Sequence, residues 1–84
     1  MKNLKEEVRK FHDDMFIETI KDNEKHINLL YSEIEDTQLY IESLYKKIDA
    51  KNEINDAQRY IESLHEEINA LKRQNEAYKA ALAE

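Results

Sequence analysis

Isoleucine sets the rhythm of this chain. Ile20, Ile27, Ile34, Ile41 and Ile48 follow one another at seven-residue intervals, with Phe16, Asn23, Leu30, Thr37, Leu44 and Lys51 on the intermediate positions. A second series runs Ile54, Ile61, Ile68, Asn75 and Leu82, with Ala57, Leu64, Leu71 and Tyr78 between. Apolar residues alternating by three and four over several heptads predict long amphipathic helices that join as a coiled coil. Ile at position a with Leu at position d favours two parallel strands, so an all-α parallel homodimer is expected. The expected seam is Ile20, Ile27, Leu30, Ile34, Ile41, Leu44, Ile48, Ile54, Ile61, Leu64, Ile68, Leu71, Tyr78 and Leu82. It is weakest at Asn23, Thr37 and Lys51.

The N-terminal part follows another phase. Leu4, Val8, Phe11 and Met15 form a short stripe of their own, with Phe16, Ile17 and Ile20 crowding behind it. Residues 1–22 either continue the long helix or form a separate helix ending near Asp22 and Asn23, whose short side chains suit a helix cap. The whole chain, 1–84, is otherwise one helical unit.

An internal repeat disturbs the heptads. DTQLYIESLYKKIDAKNEIN (36–55) aligns without gaps to DAQRYIESLHEEINALKRQN (56–75), with ten identical positions. A period of twenty residues rotates a helical stripe by roughly 200° beyond five full turns. The two series therefore meet out of step between Ile48 and Ile54, and a heptad discontinuity is predicted near 49–56. A continuous helix, a rod on the order of 120 Å, absorbs the skip by local changes of winding. The alternative is a helical hairpin turning at 51–56, with Asn52 in the left-handed conformation and Asn55 opening the next helix. The absence of glycine and proline argues for the rod, because tight turns ordinarily draw on them. Both repeat copies end in an Asn at an a position, and Asn55 and Asn75 are candidates for fixing register through paired amides.

Composition narrows the function. The formal net charge of −6 opposes contact with phosphate backbones, so nucleic acid is not an expected partner. The basic residues Lys2, Lys5, Arg9 and Lys10 are interleaved with acids, which also argues against a DNA-reading basic helix. No apolar run approaches the ~18–20 residues that cross a membrane. MKNLKEEVRK lacks the apolar core of a signal peptide, and a cytoplasmic location is expected. There is no cysteine, and no Gly-rich phosphate loop. The three His and three Ser residues are scattered along helices, whereas a nucleophilic triad needs convergence from several elements. Glu62 and His65 have the Glu-x-x-His spacing of carboxylate-bridged metal bundles. Those bundles need two such motifs, and the first repeat copy has Tyr45 in place of the His. They are weak metal candidates, and no cofactor, metal or small-molecule substrate is expected.

The expected function is non-enzymatic: coiled-coil self-association and binding of another protein, as a scaffold or adaptor. Leu29 and Leu39 fall at c and f, away from the seam, and are candidates for partner docking. The alternative is a small acidic helical regulator or inhibitor of the kind carried by phage or mobile elements. Its charge would occupy a basic, nucleic-acid-binding surface of a target.

Overall fold

The structure, a computed structural model, describes residues 4–83. It is all-helical: α1 spans Leu4–Leu44 and α2 spans Lys51–Ala83. The two pack along their length into a body of 74 × 14 × 14 Å. Residue pairs across the interface run in opposite directions. Phe16 meets Tyr78, Asn23 meets Asn75, and Glu33 meets Tyr60. The chain therefore folds back on itself, and the expected continuous rod is not formed.

The turn lies at 45–50, earlier than the 51–56 expected for a hairpin. The end of α1 tightens, with Lys46 N–H donating to the Ser43 carbonyl at 3.3 Å and Lys47 N–H to the Leu44 carbonyl at 3.0 Å. Such i→i−3 bonds are the usual way a last helical turn closes. Asp49 then takes a left-handed backbone, φ 69°. Asp tolerates this region better than most residues, and this allows a reversal without glycine. The Ala50 carbonyl accepts the Ile54 N–H at 2.9 Å and starts α2. Asn52 and Asn55, the expected turn and cap residues, lie inside α2 and are exposed. α1 runs unbroken through Asp22 and Asn23, so residues 4–22 are part of the long helix.

Folding back brings both Ile series to one interior. Ile27, Leu30 and Ile34 pack against Leu64 and Ile68, flanked by the half-buried Ile61 and Leu71. Full burial of such a side chain stabilises by about 1.5–3 kcal/mol. Ile20, Ile41 and Leu44 extend the buried line on α1, and the small Ala57 lies buried on α2. Ile54, Tyr78 and Leu82 are half-buried. Ile48 does not belong to the seam: it sits in the turn, 94% exposed.

The three weak points of the heptad pattern each find a local solution. Asn23 donates from Nδ2 to Asn75 Oδ1 at 2.8 Å and to Gln74 Oε1 at 2.7 Å. Asn75, buried, donates in turn to the Ile20 carbonyl at 3.4 Å. A polar layer of this kind favours one register, because a slip strands buried amides without partners. Asn75 thus sets a layer with Asn23 of its own chain, and the exposed Asn55 has no part in it. Thr37 bonds back to the Glu33 carbonyl at 2.8 Å. Lys51 falls beyond the break, as the first residue of α2.

Candidate functional site

With the seam closed inside the chain, the surfaces left for function are the outer faces and the two grooves between the helices. One groove is acidic. α1 supplies Glu33, Asp36 and Tyr40, and α2 supplies Glu53, Asp56 and Tyr60; Asp36, Thr37, Tyr40, Glu53, Asp56, Ala57 and Tyr60 line one open cleft. The two Tyr residues open the two YIESL copies, so the hairpin brings equivalent repeat positions to the same cleft. Within each copy the Ser bonds back to that Tyr's carbonyl, Ser43 at 2.6 Å and Ser63 at 2.7 Å. The Tyr60 hydroxyl donates to the Glu33 carboxylate. This bond raises the phenol pKa above its ordinary value, with desolvation and the charges of Glu33 and Glu67 adding in the same direction. Further along, His26 Nε2 lies 3.5 Å from a Glu67 oxygen.

Tyr31 and Lys72 also meet across the helices. Lys72 Nζ donates to the Tyr31 hydroxyl at 2.8 Å and stands 5.4 Å from the ring centre. Both side chains are exposed, so the contact pins the helices only weakly.

The outer face of α1 is apolar in places. In the register of the buried Ile series, Leu4, Phe11 and Leu39 occupy f, and Val8, Met15 and Leu29 occupy c. Positions c and f lie on the side of a helix opposite its a/d seam. All six are exposed, between 50% and 74% of their surface. The N-terminal stripe and the docking candidates Leu29 and Leu39, separate features of the sequence, thus belong to one face. The signal for this was the spacing: fourteen residues, two whole heptads, separate Met15 from Leu29.

Glu62 and His65 are both exposed on α2. Among the described residues, no group of three or more His, Cys, Asp or Glu side chains is placed to hold a metal ion. No described helix is long and apolar enough to cross a membrane. Comparison with protein-family models, curated proteins and solved structures finds no match, so the functional reading rests on these surfaces alone.

Proposed function

We propose that this chain is a non-enzymatic helical-hairpin module for self-association and protein–protein interaction, acting as a scaffold or adaptor. The observation that carries this reading is the outer face of α1. Leu4, Val8, Phe11, Met15, Leu29 and Leu39 stay exposed after the chain has closed its own core. Exposed apolar side chains clustered on one helix face, as from Leu4 to Met15, commonly mark an interaction site. The activity is then geometric: the hairpin stiffens α1 and presents its back.

The test uses the chain as bait in an extract of its source cells, beside a Leu29→Glu, Leu39→Glu variant. Neither Leu contributes to the buried core, so the thermal transition should hold while captured proteins are lost. Unchanged capture would overturn the reading. Loss of the hairpin itself would show these residues to be core.

The acidic groove favours a second reading, an acidic helical regulator that occupies a basic surface of its target. Glu33, Asp36, Glu53, Asp56 and Glu67 approach from both helices, and like charges so placed suit a cationic partner. A target held this way should be released steeply between low and moderate salt, whereas apolar docking on α1 should respond little.

A further inference from the structure

The outer face of α1 has a register of its own, and that register names an occupant. Taken by itself, the N-terminal stripe is a second heptad pattern, with Leu4 and Phe11 at d and Val8 and Met15 at a. The alternation by four, three and four is that of a coiled-coil seam. It faces away from α2, which therefore leaves it uncovered. Resting on the interaction-module reading, we propose that this segment pairs in parallel and in register with the same segment of a second copy of this chain.

Three observations favour a second copy in this orientation. The first is polar complementarity at the positions flanking the stripe. Glu7 and Asp14 fall at g, Lys5 and His12 at e. A parallel pair sets g of one helix beside e of the next heptad on its partner, which brings Glu7 to His12 of the other copy, twice by symmetry. An antiparallel pair sets g beside g and e beside e. Glu7 would then face Asp14, carboxylate against carboxylate, and Lys5 would face His12.

The second is side-chain shape. A β-branched residue at a with Leu at d suits two strands, and Val8 with Leu4 has that combination. In-register pairing also stacks Phe11 on Phe11 and Met15 on Met15, so no exposed apolar side chain of the segment meets a charge.

The third is where the pattern stops. The next positions of the same register are Glu18 and Asp22. In a parallel pair each would face its own copy, and like charges in a seam repel. The pairing therefore ends after Met15 and the two hairpins diverge. The interface spans two heptads, which places it among small, reversible contacts.

The chain contains no cysteine, so single introduced thiols report clean contacts. Met15→Cys alone, under mild oxidation, should give a covalent band at twice the chain mass. Ile48→Cys, in the turn, supplies the collision background. Adding Phe11→Glu to Met15→Cys should abolish the cross-link, with the helical content and melting of the hairpin retained. Cross-linking only when Leu4→Cys and Met15→Cys chains are mixed would show antiparallel pairing and overturn the proposal. Cross-linking no faster than the Ile48→Cys background, with a monomer mass in solution, would also overturn it. If the Leu29→Glu, Leu39→Glu variant still loses its captured proteins in that case, the module reading stands and only the second copy is excluded.

Discussion

Ile48 and Ile68 hold the same place in the two repeat copies, thirteenth of twenty, and have opposite surroundings. Ile68 is 1% exposed and packs against α1, while Ile48 projects from the turn. Truncation should separate them. Ile68→Ala should cost about 2–5 kcal/mol, as for other large core side chains. Ile48→Ala should stay within about 0.5 kcal/mol, as for a surface position. Denaturant titration of both variants checks this, and equal effects would place Ile48 in a core. The burial of Ile68 follows from its sequence period, but the exposure of Ile48 does not. A heptad position says which face of a helix a residue takes, and Ile48 is on no helix. Asn75 is a similar case. Its spacing marked a register residue, whereas its partner Asn23 was legible only as a weak d position until the antiparallel pairing brought them together. Tyr60 offers a further prediction at this scale. Its phenol pKa is raised in the fold, so the protonated form is favoured there. Any stability it adds is full below the unfolded value, near 10, and is lost as pH rises through the higher folded value. Glu33→Gln should bring the Tyr60 titration down, measured by NMR of the ring. An unchanged midpoint would show that Glu33 does not hold it.

At the scale of elements, the turn decides the fold. Both YIESL copies point their Ile and Leu inward only because α1 stops at Leu44. The twenty-residue period foretold a discontinuity, and the physical reason is the roughly 200° rotation that one straight helix would impose. Its location was less legible. Glycine is the usual residue for a left-handed position, and there is none, so Asn52 drew attention while Asp49 takes the conformation. Two substitutions should report the strain. Asp49→Gly should leave the hairpin as stable or up to about 1 kcal/mol more so, since glycine enters this region without a Cβ clash. Asp49→Val should destabilise by more than about 1 kcal/mol, because a β-branched residue is poorly tolerated there. Equal melting of the two would mean that residue 49 is not left-handed in solution.

At the scale of the whole molecule, one long body carries two different surfaces. Closing the Ile seam within the chain leaves the apolar back of α1 exposed and gathers acids from both helices along one groove. The all-helical class was legible from the heptad spacing. The antiparallel path was not, because an a/d pattern reads the same whether the covering helix belongs to the same chain or another. Everything proposed for function depends on that path. The measurement that reaches it most directly is a spin-label distance between His26→Cys and Glu67→Cys, with labelled chains diluted in unlabelled ones so that only distances within a chain are recorded. These side chains approach to 3.5 Å across the helices. The hairpin predicts a label separation of about 20 Å or less, allowing for the helix diameter. A distance near 60 Å, the rise of a continuous helix over the same residues, would contradict it.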